Sequence, residues 1–103
     1  MFFSEKEMQI MKPLFEMVND ASVKSYELIL QDETVLYATV NTCYETDNGL
    51  DLDEEGYEEF YACLFSIIEV VFVKEENKDI YKENDFLEIT YHNYPKTVKP
   101  IRK

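Results

Sequence analysis

Glycine is almost missing from this chain of 103 residues, with Gly49 and Gly56 its only two. A phosphate-cradling loop or a dinucleotide fingerprint needs several glycines at fixed spacing, because the backbone must approach the phosphate closely, so neither fits here. There is also no Gly-x-Ser-x-Gly elbow and no His-Glu-x-x-His pair, which removes two further routes to hydrolysis. Histidine occurs once, as His92. One imidazole does not make a zinc site, which takes three or four His, Cys or carboxylate ligands, and a general base needs a nucleophile or carboxylate beside it. Strand alternation sets Glu88 and Thr90 beside His92, an arrangement common on sheet surfaces without catalysis. The expectation is a chain with no cofactor and no enzymatic activity.

Cysteine is scarce as well. Cys43 and Cys63 lie twenty residues apart, with no Cys-x-x-Cys and no metal-ligand spacing. The start MFFSEKEMQIM lacks a basic stretch followed by an apolar one, so a secretory leader is not expected. The two cysteines are therefore read as reduced thiols in a cytoplasmic protein, acting as small buried hydrophobes, with a disulfide between them left open. No apolar run approaches the roughly 20 residues that span a bilayer, so no membrane association is expected.

Positive charge is the last shortage. Ten Lys and Arg face 22 Asp and Glu, for a formal net charge of −12, and Arg occurs once, as Arg102. Such a field repels phosphate backbones, and Arg is the preferred fork for reading them, so direct nucleic-acid binding is not expected. The negative charge is local. Glu45, Asp47, Asp51, Asp53, Glu54, Glu55, Glu58 and Glu59 crowd into residues 45–59 without one base, whereas residues 92–103 carry Lys96, Lys99, Arg102 and Lys103 and no acid.

What is present in quantity is apolar and aromatic: 46% of residues are hydrophobic, with eight Tyr and seven Phe. That supports one packed core and one domain, read as residues 1–95, with a basic C-terminal tail over 96–103. The fold class expected is α+β, in the order α-β-β-α-β. Residues 4–19 read as a helix opened by a Ser4/Glu7 capping box and kinked or broken near Lys12 by Pro13. Residues 23–31 and 34–44 alternate with period two and predict an antiparallel hairpin. Residues 45–53 read as a loop. Tyr57, Phe60, Tyr61, Leu64, Phe65, Ile67, Ile68, Val71 and Phe72 fall in one arc at helical spacing, which predicts a long helix over 54–73, with a strand from Ile67 as the competing reading. Residues 86–92 predict a third strand, and 97–101 a fourth, short edge strand. The simplest assembly is a three- or four-stranded antiparallel sheet with both helices on one face.

The acidic stretch is the candidate site. Asp51, Asp53 and Glu55 followed by Gly56 copy half of an EF-hand loop, but the twelfth position, where a bidentate Glu is needed, is Ala62. They stand as weak calcium candidates, with no metal site expected. The main expectation is a protein-binding surface around residues 44–59, formed by Tyr44, Glu45, Asp47, Asp51, Asp53, Glu54, Glu55, Tyr57, Glu58 and Glu59. Its tyrosines bring contact area and a hydroxyl at low entropy cost, and its acids suit a basic protein partner. Small acidic proteins of this kind act as immunity or antitoxin-like inhibitors, or as nucleic-acid mimics. The alternative is a homodimer or other assembly built through an exposed sheet edge or aromatic face.

Overall fold

The computed structural model describes residues 3–102. It holds one helix, α1 (Glu5–Val18), and five strands, β1 (Ser25–Ile29), β2 (Val35–Asp47), β3 (Glu59–Phe72), β4 (Phe86–Ile89) and β5 (Thr97–Ile101). A short 3-10 turn, Glu75–Asn77, interrupts the connection from β3 to β4. All strand pairs are antiparallel and form a single sheet in the order β4-β3-β2-β1-β5. The class is α+β, as the patterning indicates, but with one helix and five strands in place of two helices and three or four strands.

The Ser4 hydroxyl caps α1 by accepting the Glu7 N–H at 3.1 Å. The helix runs through Pro13 as one element, with Pro13 on its exposed side. It lays Met11 and Leu14 on a core that includes Tyr26, Leu28, Leu36, Ala38, Phe65, Ile67 and Ile89. Glu7 is buried at the same seam. Its carboxylate accepts the Phe3 N–H at 2.9 Å and the Tyr61 N–H at 2.5 Å, so the cap residue also ties helix to sheet.

The long helix over 54–73 is not formed: its residues are the loop 48–58 and the strand β3. β3 is apolar on both faces. Cys63, Phe65 and Ile67 face the core, while Phe60 and Ala62, also buried, point the other way. A strand with apolar residues on both faces loses its period-two signature and reads as an unbroken apolar run. Three register irregularities complete the disguise. The register steps over Ile68 and Val71 on β3, and over Asn41 on β2, so the apolar residues fall out of strict alternation. β-Branched and aromatic content is what decides for strand.

Two further expectations change with it. β2 continues to Asp47, so Glu45 and Asp47 sit on a strand and not in a loop. Cys43 and Cys63, expected as separate reduced thiols on a strand and a helix, lie directly opposite each other on β2 and β3 and are joined as a disulfide. The strand at 97–101 is the edge strand β5, paired along β1 from Ser25↔Ile101 to Ile29↔Thr97. Ion pairs fasten this end of the chain, Lys96 to Glu33 and Arg102 to Asp20.

Candidate functional site

The β2–β3 hairpin is the longest feature of the sheet, and its outer end carries most of the acidic stretch. β1 pairs with β2 over 35–38, and β4 pairs with β3 over 63–66. Beyond those levels Tyr44–Asp47 and Glu59–Ala62 pair across the hairpin, among the described residues, as a two-stranded ribbon. Side chains alternate across a strand, so the ribbon splits its residues between two faces.

One face gathers Glu45, Asp47, Glu59 and Tyr61, because Glu45 lies opposite Tyr61 and Asp47 opposite Glu59. Tyr57 at the end of the loop and Phe3 before α1 close the sides. Phe3, Glu45, Thr46, Asp47, Tyr57 and Glu59 line a depression of about 200 Å³. Tyr61 stands beside it, stacked on Phe3 at 5.3 Å between ring centres and edge-on to Phe15. The carboxylates are held by phenols. The Tyr57 hydroxyl donates to Glu59 Oε1 at 2.8 Å, and the Tyr61 hydroxyl donates to Glu45 Oε1 at 3.0 Å. Both phenols are harder to ionise for that reason, Tyr57 pushed up to about 12 and Tyr61 in the same direction.

The opposite face takes Tyr44, whose hydroxyl donates to Glu88 on β4. Glu58 is drawn away as well. It accepts from the Tyr91 hydroxyl and lies 2.8 Å from His92 Nε2, beside the Phe60 ring. His92 thus partners Glu58 and not the expected Glu88. The remaining acids, Asp51, Asp53, Glu54 and Glu55, are exposed at the hairpin tip. Local bonds shape this tip: Gly49 N–H to Asp47 Oδ1 at 2.8 Å, and Asn48 Nδ2 to the Gly56 carbonyl at 2.8 Å. Gly49 and Gly56 take φ of 84° and 88°, a region that favours glycine. Among the described residues no group of three or more His, Cys, Asp or Glu has a metal-holding arrangement, so Asp51, Asp53 and Glu55 do not converge on a cation.

The density of like charge sets this surface apart, since residues 45–59 hold eight acids and no Lys or Arg. Among the described residues the ion pairs are Lys78–Glu75, His92–Glu58, Lys96–Glu33 and Arg102–Asp20. Among the described residues no Lys or Arg pairs with Glu45, Asp47, Asp51, Asp53, Glu54, Glu55 or Glu59. Of the residues picked from sequence, the structure brings Glu45, Asp47, Tyr57 and Glu59 together, and it sends Tyr44 and Glu58 elsewhere. Sequence reasoning missed Phe3, Tyr61 and the buried Glu7. The capping box does flag Glu7, but nothing local shows that its carboxylate reaches a strand fifty-four residues away.

Residues 8–101 match the family described as Cognate immunity protein YxxD. No curated protein matches, and no solved structure matches.

Proposed function

Since the chain belongs to the Cognate immunity protein YxxD family, we propose that it neutralises its toxin by burying a basic surface of that toxin on the acidic ribbon. Membership points to a binding inhibitor and not a catalyst. The observation that carries the surface assignment is the cluster Glu45, Asp47 and Glu59, concave, flanked by Phe3, Tyr57 and Tyr61, and without a cationic partner among the described residues. Two of its carboxylates are already oriented by phenol hydroxyls, so docking a lysine or arginine orders few additional groups. The rings offer a face to the same cation. A net charge of −12 speeds the encounter with a basic partner and makes the rate fall with salt.

The test is protection of cells expressing the cognate toxin. Glu45→Lys, Asp47→Lys and Glu59→Lys combined should abolish protection. Glu75→Lys, Glu76→Lys and Asp79→Lys, on and just after the exposed 3-10 turn, make the same change in net charge elsewhere and should leave protection intact. Protection that survives the first set would remove the acidic ribbon as the toxin surface.

A second reading, association of two copies, has its own observation. Ile68, Val71, Phe72 and Phe86 are exposed on β3 and β4. Light scattering at high protein concentration decides it, a monomer excluding the dimer.

A further inference from the structure

We propose that the Cys43–Cys63 disulfide is a reversible redox clamp at the root of the acidic ribbon, and that the oxidised chain is the toxin-binding form. The link to toxin binding rests on the depression being the toxin surface, whereas the clamp itself does not.

The position of the bond carries the argument. Cys43 and Cys63 face each other at the level where β4 ends, since Cys63 also pairs with Ile89, the last residue of β4. Outward of this level the two arms of the ribbon are held unequally. The β3 arm is fastened to the body by the Glu7 carboxylate at the Tyr61 N–H, and by Tyr91 and His92 at Glu58. The β2 arm, Tyr44–Asp47, is hydrogen-bonded to the body through the Tyr44 hydroxyl at Glu88, and otherwise, among the described residues, only to β3 and to the Gly49 N–H of the hairpin tip. An isolated two-stranded ribbon is marginal in water. The disulfide therefore joins the loosely held arm to the well-held one. The depression straddles that join, with Glu45 and Asp47 on the β2 arm and Tyr57 and Glu59 on the β3 side. Closing the bond fixes the distance between its walls.

Reversibility follows from exposure and register. Cys63 is fully buried whereas Cys43 is partly exposed, so attack is assigned to the Cys43 side of the bond. A thiolate of an external dithiol attacks Cys43 Sγ, the S–S bond breaks and Cys63 leaves as thiolate. The second thiolate of the same reagent then attacks its own sulfur in the mixed disulfide and releases Cys43. Two electrons and two protons pass to the chain, and the dithiol becomes a cyclic disulfide. After reduction the ladder on either side, Thr42↔Leu64 and Tyr44↔Ala62, keeps the thiols opposed, so a small-molecule disulfide closes the bond again: the Cys43 thiolate attacks it and releases one thiol, and the Cys63 thiolate then attacks Cys43 Sγ in the mixed disulfide and releases the second.

The wild-type chain is treated with diamide or with dithiothreitol under native conditions, its thiols counted by iodoacetamide mass shift, and its amide hydrogen exchange mapped. Two thiols should appear on reduction, and exchange at residues 44–47 should rise about tenfold or more while β1 is unchanged. The Cys43→Ser/Cys63→Ser variant should match the reduced chain with either reagent. Purified cognate toxin should bind the oxidised chain about tenfold or more tightly than the reduced one. The proposal is overturned if diamide forms no bond, if dithiothreitol leaves the folded chain oxidised, if exchange is the same in both states, or if both states bind equally. Binding in neither state counts against the depression as the toxin surface, and the exchange map still decides the clamp.

Discussion

Glu7 shows how one buried carboxylate joins local and tertiary structure. Its backbone N–H is capped by Ser4, while its side chain accepts from Phe3 and from Tyr61 on β3, so α1 is fixed to the ribbon by charge-assisted bonds. Glu7→Ala leaves two backbone donors without this acceptor and should cost roughly 2–3 kcal/mol, lowering the melting temperature by about 10 °C. A denaturant titration checks this, and a loss below about 0.5 kcal/mol would mean that the seam is not held this way. Tyr57 makes the complementary point in the depression. Its hydrogen bond to Glu59 raises its ionisation to about 12, against an ordinary phenol value of 10.0. The sign follows from the direction: the folded chain favours the protonated phenol. This contribution is complete below pH 10 and is lost as pH rises through about 12. NMR titration of the Tyr57 ring should show the late ionisation, and Glu59→Gln should move it back toward the ordinary value.

At the scale of elements, the strand β3 is where sequence patterning and structure part company. The helical arc placed Ile67 and Ile68 together on one apolar face. In the sheet they separate, Ile67 at 2% exposure in the core and Ile68 at 49% in a register step. Ile67→Ala should therefore cost roughly 2–4 kcal/mol and Ile68→Ala less than about 0.5 kcal/mol. Equal costs from chemical denaturation would restore the helix. Other elements were readable for physical reasons. The capping box opens α1, and the clean alternation in β1 and in β2 as far as Val40 reflects one buried face each, whereas beyond the step at Asn41 it is Cys43 that shares the core side and Tyr44 that leaves it. What hid β3 was apolar residues on both faces, buried toward Phe60 and exposed at Ile68, Val71 and Phe72, and what hid the disulfide was the misreading of β3, since a strand is needed to set Cys63 opposite Cys43. The candidate site was legible in composition but not in geometry. Crowded acids mark residues 45–59, yet only pairing across a hairpin selects Glu45, Asp47 and Glu59 and discards Tyr44 and Glu58, their neighbours on the other face.

On the scale of the whole molecule, the sheet order puts the basic end and the acidic end apart. β5, with Lys99, and the ion-paired Lys96 and Arg102 lie at the β1 edge, whereas the ribbon projects beyond β1 and β4 without cationic partners among the described residues. The ribbon and its tip thus gather eight acids with no base in fifteen residues, and an inhibitor of a basic toxin would engage its partner there. The most direct test of that claim is the hydrogen-exchange footprint of the chain in complex with its purified cognate toxin. Protection gained at residues 44–47 and 57–61, with the β1–β5 edge unchanged, is the outcome expected. Protection confined to the β1–β5 edge or to the exposed apolar residues Ile68, Val71, Phe72 and Phe86, with the ribbon exchanging as in the free chain, would contradict it.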